Sequence, residues 1–247
     1  LINTTKILTA TMGKLVIASS QFQSQVADLL PCNKWRRSQL VHGLIDCYSL
    51  LEKFDHVISK PYCDKRELLK FHAESYIDTL LNSSYNQLLP YDEAESSWTQ
   101  LIEMDKDWSH RHDTKVTTHW STRAQLYEHF QGLRSRKRSA DEVDSNDTPQ
   151  EIDSKVFNLE GDCPIFSYLP MYCQVVTGAT LMLADYIESN TQDERTIAIN
   201  WDGGRHHAMK KRASGFCYVN DIVLLIQKLR SKGFQRLSYI DFDLHHG

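Results

Sequence analysis

Two apolar runs that end in polar chemistry constrain this chain more than any other feature. Thr196 to Asn200 and Leu237 to Phe242 are β-branched or apolar, and both run into titratable side chains. The first leads into Asp202-Gly203-Gly204-Arg205-His206-His207, the second into Asp241-Phe242-Asp243-Leu244-His245-His246-Gly247. Between them Ile222 to Lys232 reads as a helix with Ile222, Leu225, Ile226 and Leu229 on one face, Asp221 placed to cap it and Gly233 to end it. Strand, helix, strand over 196–243 is one βαβ unit, and such apolar runs suit buried parallel strands. Open α/β sheets place their sites at the carboxyl ends of strands. Alternate strand side chains share a face, so Asp241, Asp243 and His245 point the same way if the geometry lasts to the strand's end. Asp-x-His at that spacing can clasp one divalent ion. A single Asp or His there would be an ordinary loop residue, but four His and three Asp at two strand ends read as a metal-hydrolase constellation.

The rest of the chain supplies elements for one α/β domain. Leu15 to Ala18 and His56 to Ile58 are short strand candidates. Arg37 to Glu52 has Leu40, Val41, Leu44, Ile45, Tyr48 and Leu51 on one helical stripe, and Arg66 to Leu81 repeats the spacing with Leu69, His72, Tyr76 and Leu80. Met171 to Ile187 is a further helix. From Ser83 to Phe157 the pattern dissolves into polar, charged and aromatic residues, an enlarged insertion expected to be disordered around 134–155, where segregated charge replaces apolar content. Trp98, Leu101, Trp108 and the Leu126-Tyr127-Phe130 cluster suit short helices docked on the surface. The run Arg134 to Arg138 reads equally as a nuclear-import signal or a solvated charge cluster.

Composition narrows the function classes. A net charge of -4 argues against a general nucleic-acid-binding surface, so no direct nucleic-acid contact is expected. Nothing reads as membrane-spanning. Six scattered Cys without a Cys-x-x-Cys pair or a secretory signal fit reduced thiols in the nucleus or cytoplasm, not a structural zinc site.

Four stretches, Asp162-Cys163-Pro164, Gly203-Gly204-Arg205-His206-His207-Ala208, Ala213-Ser214-Gly215-Phe216-Cys217-Tyr218 and Asp241 to Gly247, together resemble the class I, zinc-dependent histone deacetylases, nearest the fungal Hos-type branch. Weaker similarity runs through Lys14 to Asn82. The resemblance implies a three-layer α/β arginase/deacetylase fold around a central parallel sheet. It also implies that Met12 is the start, that residues 1–11 are a non-native leader, and that 12–247 is the N-terminal part of a single deacetylase domain. On that reading a third zinc ligand and the oxyanion-binding tyrosine lie past Gly247, and the 247 residues alone do not deacetylate.

The same resemblance assigns roles. Asp243 and His245 become zinc ligands, with potassium on backbone oxygens of Asp241, Asp243 and His245. His207 becomes the principal general acid/base and His206 its charged partner, oriented by Asp241, although the sequence does not rank the two histidines. Phe216 walls a tunnel for the lysine stem, the Gly215 carbonyl accepts the substrate amide hydrogen, and Asp162 binds peptide N–H groups at the rim. Arg37 and Arg205 fall in an internal acetate channel; taken alone, Arg37 reads as a surface arginine. Cys217 reads as core and His246 as a packing residue. Two departures stand out: Arg205 occupies a usually apolar position, and Asp202 replaces a common Pro or Ser. The expected activity is hydrolysis of acetyl-lysine on histones or other nuclear proteins, in the nucleus or also the cytoplasm, with a corepressor complex as recruiting partner. Rival readings are an acetylpolyamine amidohydrolase or arginase-like enzyme, against which Gly247 stands where Asp-x-His-x-Asp needs its last Asp, and a catalytically inactive scaffold of the same fold.

Overall fold

In the computed structural model, which describes residues 13–82, 85, 154–190 and 195–246, three parallel strands lie in the order β2-β1-β3. They are β1 (Lys14–Ala18), β2 (His56–Ile58) and β3 (Thr196–Asn200), and Ile17 sits opposite both Val57 and Ile199. Alternation along these strands builds two cores. Val16, Ala18, Ile58 and Ala198 pack with Ala179, Met182 and Leu183 of the helix α5 (Leu169–Ser189). Ile17, Val57 and Ile199 face the other way, onto Ile45 of the helix α2 (Arg37–Cys47) and onto Leu51 and Phe54. Helix, sheet and helix thus form the three layers expected of the fold. Strands β1, β2 and β3 and helix α5 fall within two residues of where the sequence places them.

Helix α5 is buried at every position from Leu169 to Ala184, as an element apolar all round must be. A Cβ on its Gly178 would come within 2.3–2.5 Å of the Tyr62 backbone, so only glycine lets the two chains approach that closely. No helix among the described residues is both long and apolar enough to cross a membrane.

Four local expectations are corrected. The helix expected over 37–52 stops at Cys47, where Ser49 turns left-handed at φ 52 and a 3-10 turn, Leu50–Lys53, follows. Its buried face is Ser38, His42 and Ile45, while Leu40, Leu44 and Tyr48 are exposed, because polar partners inside the fold set its rotation. The helix expected over 66–81 is two, α3 (Lys65–Leu68) and α4 (Glu74–Leu80). Its buried residues His72, Tyr76 and Leu80 are as expected, but the Ala73 N–H bonds Lys210 O, which draws the chain aside.

Helix α6 (Asp221–Ser231) is capped by Asn220, whose side chain accepts from Val223 N, because Asp221 is engaged elsewhere. Leu224 and Lys228 are its most buried helix-body positions, with Ile222, Leu225, Ile226 and Leu229 half-buried, and Gly233 at φ 95 ends it as expected. Lastly, 237–242 is not a strand. No described strand lies beside it, and Ile240, Phe242 and Leu244 are exposed. Without a ladder, side chains bond the backbone instead: Asp243 N donates to Asp241 Oδ1 at 2.9 Å and His245 N to Asp243 Oδ1 at 2.7 Å. The expected leader at 1–11 and most of the 83–157 insertion, including the basic run and its aromatic clusters, lie outside the described residues.

Candidate active site

The loop leaving β3 carries most of the site, and two carboxylates pin it. Asp221 accepts from Gly204 N at 3.1 Å, Arg205 N at 2.7 Å and the Thr180 hydroxyl at 2.5 Å. Gly203 is required by space, since a Cβ there would fall 2.7–2.8 Å from Asn200 Nδ2, Asp221 Oδ2 and Thr180 Oγ1. Gly204 is required by its φ of 82. Asp202 points the opposite way and is buried, accepting from Gln23 Nε2 at 2.7 Å, Ser38 Oγ at 2.5 Å and His42 Nε2 at 3.0 Å. Burial alone would raise its carboxyl; the bonds from His42, Ser38 and Gln23 outweigh that and hold it below the usual carboxylate range.

Past this anchor the two histidine rings stand 3.9 Å apart at 44°. His206 Nδ1 donates to Asp241 Oδ2 at 2.7 Å. Asp241 is held down to about 2, first by the Tyr239 hydroxyl and then by the Asp243 N–H, with His206 adding to both. An ionised carboxylate only accepts, so the hydrogen sits on His206 Nδ1. Partial burial, then the neighbouring His206, push His207 below the ordinary imidazole value.

A ring nitrogen from each of His206 and His207 and a carboxylate oxygen of Asp243 all lie within 4.8 Å of one another. His245 stands outside that trio; its Nδ1 bonds Asp243 Oδ1 at 3.1 Å, and its N–H leads in keeping Asp243 below the usual carboxylate range. The Asp243 carboxylate and the His245 imidazole beside it are an oxygen and a nitrogen donor of the kinds zinc takes, so these two residues fit that ion in type. His246 is exposed with φ 49 and is not the packing residue expected: without a strand at 237–242 there is no opposite face for it to fill.

Around the histidines lie the other expected positions. Gly215 has φ 49 and would put a Cβ 2.6 Å from His207 Cδ2, so glycine lets this backbone lie against the ring. Phe216 follows in the left-handed region at φ 62, partly exposed beside the site. Asp162 is exposed, and the sulfur of adjacent Cys163 accepts from the backbone N–H groups of Phe216 and Cys217, which brings the 162–164 turn to this rim. Cys217 is buried, as expected of a core residue. Below the loop, Arg205 Nε donates to Asp202 O at 3.1 Å and Arg37 Nη2 to Cys32 O at 2.9 Å. Arg37 is solvent-exposed, and both guanidinium charges act on the Cys32 thiol, which burial raises and they lower.

Three supporting residues escape a reading of the sequence. Asn220 Nδ2 donates at 3.0 Å to both His206 O and Ala208 O while its Oδ1 caps α6. His72 Nδ1 donates to Met209 O and its Nε2 accepts from Asn220 N, each at 3.0 Å, and burial pushes it down to about 4. His42 joins Asp202 to Ser19 Oγ, at 2.7 Å from its Nδ1. Asn-Asp before an amphipathic helix was the one available signal; the histidine partners are too distant in sequence to show.

Comparison with known proteins adds a family to this geometry. Residues 30–247 match the histone deacetylase domain. The chain is 50% identical to histone deacetylase HOS1 of Saccharomyces cerevisiae over 96% of its own length and 53% of that protein's. It is 32% identical to histone deacetylase 8 of Xenopus tropicalis, across 86% of this chain and 40% of the relative. Against human histone deacetylase 1 it is 53% identical over 91 residues, 37% of this chain and 18% of the relative. The chain thus spans about half the length of the yeast protein and less of the others. With the domain matched over most of its residues, this chain belongs to the histone deacetylase family, on its class I, fungal Hos-type branch.

Proposed function

We propose that the protein is a zinc-dependent protein-lysine deacetylase that hydrolyses acetyl-lysine on histones or other nuclear proteins. The observation that carries this reading is the convergence of His206, His207 and Asp243, with Asp241 bonded to His206, in a chain of this family. Asp243 and His245 would hold the zinc, and backbone oxygens of Asp241, Asp243 and His245 a potassium ion. When bound, zinc supplies a Lewis acid that polarises the amide carbonyl and makes water a better nucleophile.

The chain's own residues do the rest. His207, held below the ordinary imidazole value, is free to accept the proton of the attacking water and to return it to the departing lysine amine. His206, its Nδ1 hydrogen on the ionised Asp241, is the charged partner that steadies a proton on the pair. Phe216 walls the tunnel for the four-carbon stem, and the Gly215 carbonyl accepts the substrate amide hydrogen. Asp162 at the rim accepts peptide N–H groups, which anchors a substrate without reading its side chains. Arg37 and Arg205 give the space near Cys32 the positive charge that draws product acetate. The partners are acetylated histone tails or other acetylated nuclear proteins, and recruitment in the nucleus runs through a corepressor complex.

The test is hydrolysis of an acetyl-lysine peptide by full-length protein before and after chelation. Loss of turnover on chelation and its return with zinc is expected. Absence of turnover in the zinc-loaded protein, or turnover indifferent to chelation, would sink the reading.

A further inference from the structure

The buried carboxylate of Asp202 is a polar group that the proposed chemistry leaves without a task. It lies four residues before His206 in the chain leaving β3, and its partners come from two other elements: Gln23 from α1 (Gln21–Ala27), and Ser38 and His42 from α2. Both carboxylate oxygens are used. The backbone of the same residue is also fixed, Asp202 N donating to Asn200 Oδ1 at 3.1 Å and Asp202 O accepting from Arg205 Nε at 3.1 Å. Helix α2 turns its polar residues Ser38 and His42 inward to meet Asp202 and leaves Leu40, Leu44 and Tyr48 exposed. A buried charge met by three hydrogen-bond donors adds little net stability, because its desolvation offsets much of the attraction, whereas removing it leaves those donors unpaired.

On the far side of the loop Asp221 grips Gly204 N and Arg205 N. The segment between the two carboxylates has two glycines and therefore little stiffness of its own. What lies beyond it is the histidine pair, whose rings must keep their place beside Asp241 and Asp243.

We propose that Asp202 is a positioning residue for His206 and His207. Its carboxylate, gripped by Gln23, Ser38 and His42, fixes the start of the loop to α1 and α2, so that Asp221 can hold the loop's middle and the two rings reach Asp241 and Asp243. Asp202 touches no reacting atom; it acts through the backbone from 202 to 207. The proposal rests on the acid/base reading of the two histidines for its catalytic consequence, but not for its structural one.

Asp202→Ala in the full-length protein leaves three donors facing empty space, whereas Asp202→Asn keeps an acceptor for Gln23 and His42 and lets Ser38 turn round to accept. In Asp202→Ala the turnover number per zinc-loaded site should fall roughly 10- to 100-fold with KM little changed, as expected when catalytic groups are displaced rather than removed. Asp202→Asn should recover most of the loss. Amides from 203 to 207 should exchange with solvent at least about fivefold faster in the Ala variant, while those in the middle of α5 stay as in wild type. Leu68→Ala, a core truncation outside the site, serves as the control of comparable stability loss. If Asp202→Ala does not fold, Ser38→Ala, which removes one of the three bonds, should show the same two effects in weaker form. Unchanged turnover and unchanged loop exchange in the Ala or Ser38 variant would overturn the proposal, as would an equal fall in turnover per site in Leu68→Ala. If wild-type protein fails to hydrolyse acetyl-lysine, the function reading fails, and the exchange rates alone decide the positioning claim.

Discussion

His72 makes the framework under the site sensitive to mild acid. Its ring is 2% exposed and bonded through both nitrogens, donating from Nδ1 to Met209 O and accepting at Nε2 from Asn220 N. Burial disfavours the charged ring and, against the backbone groups of Lys210 and Met209 that favour it, takes the value from 6.5 down to about 4. A histidine whose folded value is lowered binds its proton first in the unfolded chain. Stability is therefore fully present above pH 6.5, is lost as pH falls from 6.5 towards 4, and falls no further from this group below that. With one unit worth about 1.4 kcal/mol, the loss between pH 7 and pH 5 is about 2 kcal/mol.

The perturbation is His72→Gln, which offers a donor and an acceptor but does not titrate. Urea unfolding of both proteins at pH 7 and pH 5 gives the assay. The gap between wild type and variant should shift by about 2 kcal/mol in the variant's favour at pH 5. A gap independent of pH would refute the reasoning, because it would mean the ring is solvated or already charged in the folded state.

Other positions give independent tests. Gly215→Ala should lower turnover roughly 100-fold with a smaller effect on melting, because its Cβ meets the His207 ring and its φ is 49; normal turnover would show that the ring moves aside freely. Gly178→Ala should destabilise by about 1–3 kcal/mol or more through the clash with the Tyr62 backbone, read as a lower denaturation midpoint, and an unshifted midpoint would contradict the packing. Arg205→Leu should weaken product inhibition by acetate by on the order of 1–2 kcal/mol, and identical inhibition constants would mean that the guanidinium does not face the channel.

How much of this was legible in the sequence depends on how far each feature's cause lies along the chain. Strands β1, β2 and β3 and helix α5 show as apolar runs because the signal lies in their own side chains, although β3 is only partly buried. The rotation of α2 does not show, since what turns Ser38 and His42 inward is Asp202, 160 residues from His42. An apolar stripe at Leu40, Leu44 and Tyr48 looks the same whether it faces a core or solvent. The break between α3 and α4 has the same kind of cause, a pull from Lys210 and Asn220 on residues 72 and 73. At α6 both Asn220 and Asp221 are capping residue types, and the choice between them is made by the loop that occupies Asp221. The apolar run 237–242 has strand composition, but a strand exists only where a neighbour pairs with it. Motif chemistry at 203–207 and 241–245 was visible as residue types; that His206 meets Asp241 while Asp243 approaches both histidine rings required the fold.

The central claim is that the histidine pair beside Asp241 and Asp243 does proton transfer in amide hydrolysis, and His207→Ala in zinc-loaded, full-length protein tests it most directly. General acid/base groups contribute about 10²- to 10⁴-fold, so turnover of an acetyl-lysine peptide should fall by that order while zinc content and melting temperature hold. An Ala variant that turns over at the wild-type rate would contradict the account.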